Sequence, residues 1–327
     1  MASSPDNGRQ TDDPRHWSRL HRRGRRRAFA ALLLLLPWSW FLIRDSWSSL
    51  NAGSVAMPAL AAVGGILLLA GAALTRRLLP LLAALSLLGM TLVTVILPLL
   101  PQPAGTITKP MTVASANIYQ SNATPKAAAT GLAATHADIL VAVEVPDGFA
   151  ALLRSAVGSS HPYQVQSQGI VIRSAFPIVG LPVPSRLSPT RVLMASVRTP
   201  QSGTFTLFAV HAVNPIQESS FAFQQSFIDR LDQSARERQA VGPVVIAGDL
   251  NLSDRTHGYR ILSSDFRDAM RAGSWAGDTY VQGIWRYAFL RIDHLFVSRT
   301  WCAADPSRFD IPGSDHLGIR ATIGPCG

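Results

Sequence analysis

The sequence predicts an α/β domain carried behind three membrane-crossing helices. Three observations point there. Apolar residues make up 47% of the 327-residue chain and charged ones only 15%, and nearly all of that apolar excess lies before Pro101. Beyond Pro101, short strand-like and helix-like segments alternate to the end of the chain, the pattern of an α/β fold. Six of those apolar segments deliver a carboxylate, an amide or an imidazole at one terminus.

Residues 1–27 form a polar, basic tail ending in Arg22-Arg23-Gly24-Arg25-Arg26-Arg27, too polar to bury a core. Three apolar runs follow within residues 28–100: 28–43, 53–75 and 78–100. The second and third are long enough to cross a bilayer as helices. The first is slightly short, but its flanking arginines can snorkel. The arginines at 22–27 and the pair Arg76-Arg77 predict a cytoplasmic N-terminus and an external loop at 44–52. Three crossings then place everything after residue 100 outside the cell membrane. A cleaved twin-arginine signal is the competing reading of Arg26-Arg27-Ala28-Phe29.

The formal charge of +10 divides unevenly: 11 Arg against 4 Asp in residues 1–100, and 19 Lys or Arg against 16 Asp or Glu afterwards. A C-terminal domain so near neutrality predicts no stable nucleic-acid partner.

Residues 101–110 read as a proline-containing linker and 111–327 as one domain. Strands are expected at 112–116, 139–143, 169–173, 192–197, 205–210, 244–247, 292–297 and 317–323. Helices are expected at 125–136, 149–157 and 219–240, the last with Phe221, Phe223, Phe227 and Leu231 on its apolar side. The stretch after Asn251 reads as irregular.

The polar strand ends carry the chemistry. Asn117 follows Val-Ala-Ser-Ala, Glu144 follows Ile-Leu-Val-Ala-Val, and His211 follows Leu-Phe-Ala-Val. Asp249 and Asn251 follow Val-Val-Ile-Ala-Gly, Asp293 sits in Arg-Ile-Asp-His, and Asp315-His316 in Gly-Ser-Asp-His-Leu. Polar groups at the ends of buried strands must be hydrogen-bonded or bind a metal, because burying them unpaired costs several kcal/mol or so.

In this order and spacing the motifs resemble the endonuclease/exonuclease/phosphatase superfamily, across roughly residues 111–324. The resemblance implies a four-layer α/β/β/α sandwich, two mixed sheets face to face with helices outside. It implies that Glu144, with Asn117 and Asp315 nearby, holds Mg²⁺ or Mn²⁺, which suit hard oxygen ligands. Asp249 then orients or deprotonates the attacking water, and Asn251 holds that water or a phosphate oxygen. His316, paired with Asp293, stabilises charge on phosphorus, and His211 is a second phosphate-contacting residue whose acidic partner the sequence does not show.

The family's Gly-x4-Ser-Arg-x-Pro pattern is imperfect here. Gly169 and Ser174 fit, but Ala175 stands in place of Arg, and Arg173 precedes the Ser. Lys126, Arg191 and Arg286 are candidate phosphate contacts or solvated surface. Trp275, Trp285 and Tyr287 line a pocket or pack in the core. His294, next to Asp293, should point to the opposite face of its strand. Three helices before an external domain of this kind resemble teicoplanin resistance membrane proteins of the VanJ type. That implies hydrolysis of a lipid pyrophosphate such as undecaprenyl pyrophosphate, with the bilayer and the lipid-linked phosphate as partners. A nuclease or phospholipase of the same fold, or a catalytically silent ligand sensor, are the alternatives. Cys302 and Cys326, the only cysteines, follow Asp293 and His316 by similar distances. They should meet away from the site, as a disulfide or as two free thiols.

Overall fold

The computed structural model describes residues 32, 35 and 38–327, apart from 189, 275–276 and 284–289. These residues form two compact units. One comprises the described residues up to Ile43 with Leu60–Thr91, the other Arg44–Ala59 with Leu92–Gly327.

Helix α1 runs Ser48–Thr75, and helical structure continues over Leu78–Leu99 (α2) with a π-type segment at Leu92–Ile96. Among the described residues, only Leu78–Leu99 is long and apolar enough to cross a membrane. The apolar stretch of α1, Ala59–Thr75, is shorter. Half of the expected first run, 28–43, lies outside the described residues. Within the first unit, Gly65 lets α1 approach α2 closely, since a Cβ there would sit 2.8 Å from Leu88. Trp38 Nε1 donates to Ser86 Oγ at 3.0 Å.

The second unit holds two six-stranded sheets. The first runs β11 (Trp301–Asp310), β12 (Leu317–Pro325), β1 (Met111–Asn117), β2 (Ile139–Val143), β4 (Ile170–Ser174) and β3 (Tyr163–Ser167). The second runs β5 (Ile178–Leu181), β6 (Val192–Thr199), β7 (Gly203–His211), β8 (Val244–Asp249), β10 (Asp293–Ser298) and β9 (Phe266–Asp268). Both are mixed: β1 is parallel to β2 and β7 to β8, and the other named pairs are antiparallel. Strands buried on both faces read as continuous apolar runs, and Ile139–Val143 and Val244–Asp249 are buried throughout.

Three apolar clusters define the layers. Val113, Val141, Leu207, Val245, Leu295 and Ile319 fill the space between the sheets. Phe227, Ile228 and Leu231 of α5 (Glu218–Gln239), with Tyr259 and Leu262 of α6 (His257–Asp265), cover the second sheet. Ala128 and Leu132 of α3 (Pro125–Ala133), with Phe149 and Leu153 of α4 (Phe149–Val157), cover the first. The result is the expected α/β/β/α sandwich. Fully burying one Leu, Ile or Phe contributes about 1.5–3 kcal/mol, so each layer is held by several such anchors.

Residues 101–110 are not a free tether. Gln102 exchanges backbone hydrogen bonds with Arg271 and Gly273 at 2.6 and 2.7 Å, and Ile107 bridges to Cys326. Cys302 and Cys326 form a disulfide with Cα atoms 5.0 Å apart. Cys302 lies on β11, after the turn that ends β10, and β11 runs antiparallel beside β12. A Cβ on Gly105 would lie 2.0 Å from Cys302 Sγ, so the segment 101–110 packs directly on the bridge. Thiol titration under denaturing, non-reducing conditions is expected to find no free thiol, and two per chain would refute the bridge. Reduction should cost about 3 kcal/mol for a loop of this size.

Candidate active site

Strand register assembles the site. In the second sheet Asp249 ends β8, opposite His211 on one side and Asp293 on the other. Directly opposed residues share a face, so three polar groups form one row across three strands. Gly248 precedes Asp249 inside β8 rather than in a turn. Its φ is +138°, and a Cβ there would meet the Val210 carbonyl oxygen at 2.0 Å, so only glycine lets β7 and β8 close up. In the first sheet, Asn117 ends β1, Glu144 directly follows β2, and Asp315-His316 directly precede β12.

The groups then bond across the two sheets. Asn117 Nδ2 donates to Asp249 Oδ2 at 3.0 Å, and its Oδ1 accepts from the Tyr119 N–H at 2.9 Å. Asn251, at φ +50°, folds back on Asp249: its N–H donates to Oδ1 at 2.8 Å and its Nδ2 to Oδ2 at 3.1 Å. The Asn251 amide also donates to the Ala212 carbonyl at 3.0 Å. Asp293 Oδ2 accepts from His316 Nδ1 at 2.8 Å, leaving His316 Nε2 4.0 Å from Asp249 and 3.9 Å from Asp315. His211 Nε2 lies 2.7 Å from Glu144 Oε1, which supplies the acidic partner that the sequence left unassigned.

Charge follows from this packing. Burial works against a cation at His316, but Asp293 foremost, then Asp249 and Asp315, lift it to about 10. Burial and then the facing Asp293 push Asp249 up to about 6 against the pull of His316 and His211. Burial would also raise Glu144, yet the His211 hydrogen bond and charge, aided by Asn117, hold it at about 2. At neutral pH the site thus presents anionic carboxylates beside a cationic imidazole.

Side-chain atoms of Glu144, His211 and Asp249 lie within 4.8 Å of one another, a donor set that fits a divalent cation. Asp315 lines the same cavity. Asn117 turns its nitrogen toward Asp249, and its oxygen, which accepts the Tyr119 N–H, keeps a second lone pair for a ligand. Glu144 and Tyr119 also hold left-handed backbone, at φ +50° and +66°. Strain of about 1–3 kcal/mol each at such positions concentrates at functional sites. A second acidic group, Asp254, Asp268 and His294, is filled differently. The buried Arg291 pairs with Asp254 and, at 2.6 Å, with Asp268, while His294 on the opposite face binds the Leu252 carbonyl at 2.7 Å.

The site opens into a cavity of about 520 Å³. Its lining combines polar Glu144, His211, Asp249, Asn251, Asp315 and His316 with apolar Val213, Pro215, Ile216, Leu290 and Ile292. Arg191, Tyr119 and Asn51 also line it. Tyr280 packs its ring edge-on against His316 at 5.2 Å between centroids. Its neighbour Thr279 accepts the N–H groups of Ile292 and Asp293 at 3.0 and 3.1 Å. No motif marks this pair in the sequence. Arg173 instead donates to Gln164 at 3.0 Å and does not line the cavity. Arg286, Trp275, Trp285 and Tyr287 lie outside the described residues.

The model of the endonuclease/exonuclease/phosphatase family matches residues 114–316. The chain belongs to this family. Members act as hydrolases of phosphoester bonds. A structure of an endonuclease/exonuclease/phosphatase from Beutenbergia cavernae is similar at 21% identity and TM-score 0.52, over 67% of this chain and 72% of that one. One from Bacteroides vulgatus is similar at 15% identity and TM-score 0.53, over 67% and 100%. A beta toxin variant from Staphylococcus aureus with bound magnesium ions is similar at 15% identity and TM-score 0.50, over 65% and 99%. At these identities the likeness carries the fold. No curated protein sequence matches the chain.

Proposed function

We propose that this protein is a membrane-anchored, Mg²⁺-dependent phosphoesterase that hydrolyses a lipid pyrophosphate, such as undecaprenyl pyrophosphate, outside the cell membrane. Through that product it contributes to resistance against teicoplanin-type glycopeptides. The observation that carries the reading is the cavity's mixed lining, ionised groups together with Val213, Pro215, Ile216, Leu290 and Ile292. Ile216 in that lining is 74% exposed, a position suited to a hydrocarbon chain rather than to a nucleotide or a sugar.

The anchored topology draws support from residues 44–51. Asp45 accepts from Arg260 at 2.6 Å and from the His257 N–H at 3.1 Å, and Ser48 Oγ donates to Glu218 at 2.7 Å. These contacts support a reading in which the expected external loop and the catalytic domain share one side. The candidate span Leu78–Leu99 and the two arginine clusters favour that side being the outside.

In the proposed reaction a water oxygen bonds to the terminal phosphorus while the bridging P–O bond breaks on the opposite face. The water proton passes to Asp249, whose raised basicity suits it to the task. Asn251 and Asn117 fix the Asp249 carboxylate. His316, held cationic by Asp293, faces the charge that gathers on the phosphoryl oxygens and leaving group. Glu144 would hold Mg²⁺, which supplies further positive charge at those oxygens. Lipid monophosphate and inorganic phosphate result.

Purified full-length protein with Mg²⁺ is expected to release phosphate from undecaprenyl pyrophosphate much faster than it cleaves sphingomyelin or plasmid DNA. Preference for either of the latter would replace this substrate assignment.

A further inference from the structure

We infer that Arg191 is the specificity-determining residue of the cavity, binding the phosphate of a pyrophosphate that does not react. This rests on the phosphoesterase reading above and deepens its substrate class.

The placement comes from strand register. Val192 of β6 pairs with Val210 of β7. The pairing continues one step, with the His211 N–H donating to the Arg191 carbonyl at 2.9 Å. Arg191 is thus directly opposite His211, and opposed residues on antiparallel strands point to the same face with Cβ atoms about 5 Å apart. His211 uses that face to reach Glu144. Both side chains line the cavity. Arg191 therefore projects into the same space, one strand spacing beyond the catalytic row.

Its charge is uncommitted among the described residues. Among the described residues, Arg191 is the only arginine or lysine lining the cavity, and its guanidinium makes no hydrogen bond or ion pair with them. The other charged groups lining the cavity are engaged: Glu144 with His211, His316 with Asp293 and, at 3.9 Å, with Asp315, and Asp249 with Asn117 and Asn251. A half-buried guanidinium with no partner among the described residues, in a cavity that Glu144, Asp249 and Asp315 also line, is a binding group in waiting rather than part of the fold's own ion pairing.

The chemistry then selects the ligand. A phosphodiester brings one phosphorus, for which His316 and the Glu144 cation site suffice. A pyrophosphate brings a second anionic phosphate, which Glu144 and Asp315 would repel unless a cation met it. Guanidinium binds phosphate oxygens in bidentate fashion, and Arg191 is the donor available for it.

The test is calorimetric titration of full-length protein with inorganic pyrophosphate and with orthophosphate at fixed free Mg²⁺. Wild type should bind pyrophosphate at least tenfold more tightly than orthophosphate. Arg191→Gln should abolish that preference through a roughly 10- to 100-fold loss for pyrophosphate. Arg191→Lys, which keeps charge without the bidentate fork, should fall between. Retained orthophosphate affinity and melting temperature show that the variants are folded. The inference fails if wild type shows no preference, or if Arg191→Gln keeps it. Failure to release phosphate from undecaprenyl pyrophosphate, with the preference intact, would sink the lipid substrate and leave Arg191 as the pyrophosphate-binding residue.

Discussion

Replacing Asp249 by Asn or His316 by Ala is expected to lower phosphate release by about 10²–10⁴-fold, the usual cost of losing a general base or a charge-stabilising donor. The two variants should part in stability. Asp249 is buried with its pKa raised to about 6, so its folded carboxylate is less favourable than the unfolded one at neutral pH. Asp249→Asn removes that cost but leaves one oxygen for the three donors of Asn117 and Asn251, so it should melt close to wild type. His316 has its folded pKa raised to about 10. Its contribution to stability is full below the ordinary imidazole range and is lost as pH rises through about 10. His316→Ala should accordingly melt lower than wild type at pH 7, with the gap closing toward pH 10. Activity should fall as acid protonates Asp249, at or below about pH 6, because a bound cation pulls that value down further. Either variant retaining more than about a tenth of wild-type turnover would remove its residue from the mechanism.

The site was legible because its groups sit at strand ends. Apolar runs that stop at Asn117, Glu144, His211 and Asp249 can be seen without knowing which strands pair. The pairings themselves were hidden. That His211 meets Glu144 depends on contact between two sheets, which no local pattern encodes. Thr279 and Tyr280 were missed because they act through two backbone contacts and a ring edge, roles many residue types can fill.

Among the elements, Tyr163–Ser167 is an edge strand of half-polar residues and lacks the apolar run of a central strand. Trp301–Asp310 carries Pro306 and a register shift between Ala304 and Ser307, both of which argue against a strand when read locally. Helix His257–Asp265 was read as irregular because its apolar face is only Tyr259 and Leu262. Its start is fixed by Thr256, whose hydroxyl accepts the Tyr259 N–H. In the N-terminal part, hydrophobicity identified the runs. It did not show that Ser48–Asn51 would join α1 and lean on Glu218 and Asp45.

Removing the divalent cation should abolish activity, and Glu144 should be the residue through which that dependence runs. The carboxylate is held at about 2, so it is anionic throughout the neutral range, and among the described residues its direct partner across the sheets is His211. An ion placed among Glu144, His211 and Asp249 would attract both carboxylates, beyond the attraction His211 already gives Glu144. The fold gives up something to hold Glu144 there, since φ is +50° at a residue with a Cβ. Two opposed effects follow. Glu144→Gln should raise the Mg²⁺ concentration for half-maximal activity by at least about 10- to 100-fold, as loss of a carboxylate at a metal site does. Glu144→Gly should lose activity equally, yet its backbone accepts left-handed φ without strain. That gain offsets part of the lost His211 contact, so Glu144→Gly should melt above Glu144→Ala. In wild type, Mg²⁺ at about a hundred times its dissociation constant should stabilise the fold by about 2.7 kcal/mol, and Glu144→Gln should show almost none of that shift at the same concentration. Undiminished turnover in EDTA, or an equal Mg²⁺-induced rise in melting temperature in Glu144→Gln, would show that the cation does not bind through Glu144.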